Sequence, residues 1–241
     1  MNGAQNFRDR LPSPVRRYLD LALPERPSAQ VPASLVFSQN GTLRTSTSSS
    51  RWLPFSATHE VRPLANEFSW TASVRLAPFI HLSVRDSFRL GQGVGEVRLG
   101  WLRLGHDAGS PQINSGSLHR FLAEAVFYPW ALLPSSALKW TPIDESRALA
   151  TLTVGATEVS LEFRFEPGGQ VGSVYTPARW GRFDRAYRQV PWQGHFAEYS
   201  RRCGAFVPSY GEVGWREGET LEFVWRGHVT SMRVGEPFSS R

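Results

Sequence analysis

Most of this chain alternates apolar and polar residues with a period of two, the mark of strands with one dry and one wet face. The clearest stretch is 158–165, where Val159, Leu161, Phe163 and Phe165 fall on one side and Ser160, Glu162 and Arg164 on the other. Comparable runs at 34–39, 42–47, 55–61, 67–76, 79–90, 94–104, 138–143, 148–154, 171–180, 196–203, 206–215 and 221–229 predict a mostly antiparallel β protein of about ten or more strands. Asn40-Gly41 is predicted to be a two-residue hairpin turn, because asparagine and glycine supply the positive φ angles that such a turn needs. Gly91-Gln92-Gly93, Pro167-Gly168-Gly169 and Gly204 mark further turns. The segment 181–192 loses the alternation and carries Arg182, Asp184, Arg185, Tyr187 and Arg188, which predicts a polar loop, either a lid or a solvated crossover.

Two segments switch to helical spacing. Ser13-Pro14 is a helix start, and Val15, Tyr18, Leu19, Ala22 and Leu23 follow on one face until Pro24. The proline-rich stretch 24–32 reads as an extended connector. The segment 121–133, Phe-Leu-Ala-Glu-Ala-Val-Phe-Tyr-Pro-Trp-Ala-Leu-Leu, is apolar all round except for Glu124. It is too short to cross a bilayer, so protein must cover it on every side. Asn114 or Ser115 is the expected cap, and Pro129 is expected to kink the helix and leave the Ala125 carbonyl without its usual partner. A curved sheet is the natural cover. The expected architecture is therefore a curved antiparallel β half-barrel wrapped round one buried helix, with a short N-terminal helix nearby. The whole chain, 1–241, is read as a single domain: N-terminal helix and connector 1–27, first strand run 33–104, buried helix 114–134 and second strand run 138–230.

Composition narrows the picture. Hydrophobic residues make up 41% of the chain and charged residues 20%, within the globular range. The formal net charge of +6 would ordinarily suggest nucleic acid or an anionic membrane as partner. Lys139 is the only lysine, however, and the arginines are scattered through nearly every strand, which fits residue usage better than a phosphate-tracking patch, so no nucleic-acid partner is expected. Cys203 stands alone, which excludes an intramolecular disulfide and leaves a small core residue as its expected role. Residues 1–10 lack the apolar stretch of a signal peptide and no run approaches a transmembrane span, so a cytoplasmic placement without a transmembrane segment is expected.

Glu124 is the focal point for chemistry. An unpaired carboxylate on so apolar a surface costs several kcal/mol, roughly, so it must be neutral, paired or facing a polar cavity. Arg120, one turn earlier, is its nearest partner. Two readings stay open: a buried pair that orients the helix, or a polar anchor at the end of an apolar pocket. His119 is expected on the exposed side, and Asp86, between Arg85 and Arg89, in a surface ion network. Most of the strand-borne tryptophans are expected in the core. No nucleophile elbow, P-loop, dinucleotide fingerprint or zinc motif is present, and the six histidines are far apart in sequence, so neither a cofactor nor a metal site is expected.

Several motifs also fit together as a set: Leu11-Pro12-x-Pro14-Val15-Arg16-Arg17-Tyr18-Leu19, Pro54-Phe55-x-Ala57, Phe68-x-Trp70-x-Ala72, Arg120-Phe121-Leu122-Ala123-Glu124-Ala125 with Pro129 and Ala131-Leu132-Leu133-Pro134, and Pro191-Trp192-x-Gly194-x-Phe196 with Tyr199. Together they resemble a bacterial domain family of unknown function over nearly the whole chain. Its layout, a helix between two runs of strands, is similar to the half-barrel of the bacterial lipoprotein carriers, in which a curved sheet closes over helices and holds acyl chains. The resemblance implies non-catalytic binding of an apolar or amphipathic small molecule, such as a lipid or acyl chain, between sheet and helix. Phe127, Tyr128, Trp130 and Trp140 would form the wall, and Arg120 and Glu124 the anchor. The alternatives are an enzyme using Glu124, Asp86 or His195 as acid or base, and a structural or partner-binding module that would show an exposed apolar patch. Oligomeric state is left undetermined by the sequence.

Overall fold

The computed structural model describes residues 10–23, 31–183 and 186–235. Thirteen strands form one antiparallel sheet: β1 (Leu35–Leu43), β2 (Leu53–Arg62), β3 (Glu67–Ala77), β4 (Ile80–Arg89), β5 (Gln92–Leu99), β6 (Leu102–Ala108), β7 (Leu138–Pro142), β8 (Arg147–Val154), β9 (Thr157–Phe165), β10 (Val171–Phe183), β11 (Ala186–Arg202), β12 (Ala205–Glu217) and β13 (Thr220–Val234). Their order is β6-β5-β4-β3-β2-β1-β13-β12-β11-β10-β9-β8-β7, so two meanders are joined where β1 pairs with β13. Among the described residues there are also two α-helices, α1 (Ser13–Ala22) and α2 (Pro111–Glu124).

Inward-facing residues keep the period of two across neighbouring strands. Phe37, His59 and Trp70 lie side by side on β1, β2 and β3, as do Leu35, Val61 and Phe68. Helix α2 packs against β4 and β5 on one flank and against β9 and β10 on the other, although β3, β2, β1, β13, β12 and β11 lie between them in the sheet. Only a strongly curled sheet allows that, and the result is the expected half-barrel with α2 set in its concavity. Phe121, Leu122, Val126, Tyr128 and Leu132 are fully or almost fully buried there, so the segment is covered on all sides. Helix α1 packs against β8 and β12, and its buried face, Val15, Tyr18, Leu19 and Ala22, is the one the spacing predicts. Its Ser13 hydroxyl accepts a hydrogen bond from Arg17 rather than capping the backbone. Most of the expected connector, residues 24–30, lies outside the described residues.

Four local expectations are corrected. Asn40-Gly41 is not a turn but the middle of β1, paired with Ser56 and Phe55 on one side and with His228 and Gly227 on the other. Glycine is required at position 41 because a Cβ there would lie 2.0 Å from the Arg226 carbonyl oxygen. The run 94–104 is two strands, β5 and β6, reversed at Gly100-Trp101. Of the polar stretch 181–192, residues 181–183 continue β10 and residues 186–192 belong to β11, paired from Arg179 with Val190 to Phe183 with Ala186, so these described residues are strand and not loop; residues 184–185 lie outside the described residues. Cys203 occupies a left-handed turn position with φ 48° and is exposed, not in the core.

The buried helical segment also differs from its expected form. It begins at Pro111, where the Ser110 hydroxyl accepts a hydrogen bond from the Ile113 amide, rather than at Asn114 or Ser115. The α-helix stops at Glu124, and two short 3-10 turns, Ala125–Phe127 and Pro129–Leu132, carry the chain on. The Ala125 carbonyl is not orphaned, because it accepts from the Tyr128 amide at 3.0 Å. The Tyr128 hydroxyl donates to the Phe121 carbonyl at 2.8 Å, and the Trp140 indole donates to the Leu132 carbonyl at 3.1 Å. These side chains satisfy the backbone that the helix end leaves open.

Candidate functional site

Between α2 and strands β10 to β13 lies a cavity of about 180 Å³. One wall is apolar: Ala123 and Phe127 from the helical segment, Trp192 and Phe196 from β11, Val213 from β12 and Trp225 from β13. The other is charged: Asp86 from β4, Arg120 and Glu124 from α2, Arg179 from β10 and Glu212 from β12. Gly211 opens the floor, since a Cβ there would stand 3.2 Å from the Phe127 ring.

Arg120 is the hub of the charged wall. Its Nη1 donates to Asp86 Oδ2 at 2.8 Å and its Nε to Glu124 Oε1 at 3.0 Å, one helical turn away. The guanidinium lies 4.7 Å from the Trp70 ring centroid and 5.4 Å from that of Phe68. Its side chain is only 17% exposed, and burial opposes its charge while the two carboxylates raise its pKa further than burial lowers it. The expected Arg120–Glu124 pair therefore exists, but it has a third member. Asp86 points inward to Arg120 rather than joining a surface network, and it also accepts from the Ser117 hydroxyl at 3.3 Å.

Glu124 is under strain in its second oxygen. Oε2 is buried without a hydrogen-bond partner and lies 3.5 Å from His59 Nε2, which is buried and equally unsatisfied. Burial pushes the Glu124 carboxyl up and Arg120 pulls it back; burial, then the Arg120 charge, hold His59 well below the ordinary histidine value. His59 is therefore a neutral ring packed near Phe37, Phe68 and Tyr128. His119, expected in solvent, is 5% exposed: its Nδ1 contacts the Ser115 carbonyl at 2.9 Å, and burial with nearby Arg179 lowers its pKa to about 4.

Arg179 is the site residue that the pattern of alternation conceals. A bulge in β10 sets Thr176 opposite Trp192 but Arg179 opposite Val190, so three steps on β10 match two on β11. The extra residue moves position 179 onto the face that position 178 would otherwise take. Pro177, which cannot donate to the ladder, is the one sequence signal for it. The Arg179 guanidinium lies 4.8 Å from the Trp192 ring and 5.2 Å from that of Trp215, and its Nη2 donates to the Gly116 carbonyl at 2.9 Å. Its buried Nε has no hydrogen-bond partner, and burial lowers its pKa to about 10. It is a desolvated cation beside the cavity with hydrogen-bonding capacity to spare.

Of the six residues read from sequence as ligand contacts, Arg120, Glu124 and Phe127 line this cavity. Tyr128 is fully buried within the core, Trp130 packs into it, and Trp140 lies edge-on to Phe163 at 5.0 Å. Asp86 and Glu124 also meet here, whereas His195 borders an adjoining open depression with Glu198, Tyr199 and Tyr210, which shares Phe196 and Glu212 with the cavity. Among the described residues, no group of three or more His, Cys, Asp or Glu side chains is placed to hold a metal, and no helix is long and apolar enough to cross a membrane.

The model of a family described as of unknown function (DUF6544) matches residues 3–227. Solved structures with a similar chain path include a LolA superfamily protein from Nitrosomonas europaea, at 9% identity and a TM-score of 0.45 with 93% of each chain covered. Another is a DUF1329 family protein from Desulfovibrio piger, at 12% identity and a TM-score of 0.46, with 94% of this chain and 95% of that one covered. No curated protein matches the sequence.

Proposed function

This chain belongs to the family of unknown function DUF6544, and from the site it carries we propose that it binds, without catalysis, a small amphipathic carboxylate in the cavity between α2 and the sheet. The carrying observation is Arg179: a desolvated guanidinium with an unpartnered buried Nε, set where the charged wall of the pocket meets its aromatic one. A carboxylate there would supply the hydrogen bond that the Nε lacks and a counter-charge in direct contact, whereas Asp86 and Glu124 act on Arg179 through their charge alone. An aliphatic chain would then lie against Phe127, Trp192, Phe196 and Trp225. Arg120 is already engaged by Asp86 and Glu124, so in this reading it holds the polar wall in shape while Arg179 receives the ligand. The volume, below the ~300 Å³ at which drug-sized pockets begin, favours a short or medium chain over a complete lipid.

Native mass spectrometry of protein purified without detergent tests this. The expected spectrum carries a small adduct, or gains one on incubation with octanoate, and loses it in Val213→Phe, which fills the pocket. A protein that takes up no carboxylate under any of these conditions contradicts the proposal. The enzyme reading has less behind it, because His195 does not line the cavity and its three carboxylates are each held by an arginine, Asp86 and Glu124 by Arg120 and Glu212 by Arg226 at 3.1 Å.

A further inference from the structure

At one end of β3 to β6, two hairpin turns carry large apolar side chains into solvent. Phe79, in the turn between β3 and β4, is 99% exposed, and Trp101, in the turn between β5 and β6, is 91% exposed. The pairing of Leu82 with Leu99 places the two turns side by side. Ile80, Leu99, Leu102 and Leu104 around them are exposed too. At Leu102, Arg103 and Leu104 successive residues are all exposed, so this end of β6 has solvent on both faces and no core behind it. Phe79 also has φ 64°, a left-handed conformation that glycine or asparagine adopts far more readily than a bulky side chain. A strained turn position filled by an aromatic residue that packs against nothing within the protein has no explanation in stability. At the opposite end Leu90 and Leu64 are exposed too, but no exposed aromatic side chain joins them and neither holds a strained aromatic position.

Charge identifies the partner. Arg51, Arg75, Arg98 and Arg103 lie at this same end; Arg51 donates to the Leu76 carbonyl, and Arg98 and Arg103 both reach Glu96, at 3.0 and 3.1 Å. Glu96 thus answers two of these guanidiniums, while Arg51 bonds a backbone carbonyl and Arg75 stands opposite His81, which leaves the apolar tips ringed by net positive charge. We propose that these paired turns dock the protein on an anionic lipid bilayer, with Phe79 and Trp101 entering the interfacial layer and the arginines meeting lipid phosphates. Aromatic side chains favour that layer, and arginines beside it add attraction to anionic headgroups. The inference is independent of what the cavity holds.

Vesicle co-sedimentation of the full chain tests it. With three parts phosphatidylcholine to one part phosphatidylglycerol the protein is expected to pellet, and with phosphatidylcholine alone to bind roughly tenfold less. Phe79→Asn with Trp101→Ser should cut binding to the mixed vesicles roughly tenfold or more, with an unchanged circular dichroism spectrum and a melting temperature no lower than that of the wild type, because neither side chain is packed and asparagine suits the left-handed position 79 better. Arg98→Gln with Arg103→Gln should weaken binding and reduce its salt sensitivity. Equal pelleting of wild type and the aromatic double variant would overturn the proposal. So would a lack of wild-type binding, or self-association in solution that the double variant abolishes, which would assign the patch to protein contact.

Discussion

Arg120 joins two carboxylates from different elements, and that arrangement makes it costly to remove. Arg120→Met would leave Asp86 and Glu124 facing each other with little water to screen them, and is expected to cost about 3 kcal/mol, read as a fall of roughly 6–12 °C in melting temperature. Glu124→Gln keeps an oxygen for the Arg120 Nε while removing a charge whose second oxygen is unsatisfied, and should change stability by less than about 1 kcal/mol. The pH dependence follows from the histidines. His59 and His119 have folded-state pKa values below that of the unfolded chain, so their contribution is complete above about pH 6.5 and is lost as the pH falls and the unfolded chain takes up protons. Glu124, shifted upward, acts in the opposite sense, since the folded state holds its proton more tightly. Thermal melts from about pH 7 to about pH 4 should show a decline that His119→Asn makes shallower, chiefly between about pH 6.5 and about pH 4. An unchanged slope in that variant would mean that His119 is not buried neutral.

At the scale of elements, the sequence is readable where burial is one-sided and misleading where local turn chemistry is overruled. The segment 158–165 alternates cleanly and forms β9, and the buried face of α1 follows its spacing. Asn40-Gly41 carries a strong local turn signal, yet pairing with β2 and β13 on both sides keeps it extended. Its glycine is needed for close approach, and Gly41→Ala is expected to cost about 3 kcal/mol or more by pushing β1 from β13, measurable by denaturant unfolding. The polar stretch 181–192 reads as a loop because the sheet at 181–183 and 186–192 is wet on much of its surface, which leaves no alternation to detect. Arg120 and Glu124 could be paired from helical spacing alone. Asp86 could not, since it sits on a strand that meets the helix only after the sheet has curled, and Arg179 is hidden by the bulge at Pro177.

For the whole molecule, the decisive property is that one curled sheet meets α2 with strands from both of its meanders. The first run supplies Asp86 and the aromatic bed under Arg120, and the second supplies Arg179 and most of the apolar wall. The cavity exists only because the two runs are brought round the same helix, and no single segment of sequence contains it. Calorimetric titration with octanoate and with octanol is the most direct measurement of whether this space is a binding site. One-to-one saturable binding of octanoate, at least about tenfold weaker for octanol and for Arg179→Gln with octanoate, is the expected result. Saturation by neither compound, or equal affinity for both that ignores Arg179→Gln, would contradict the account.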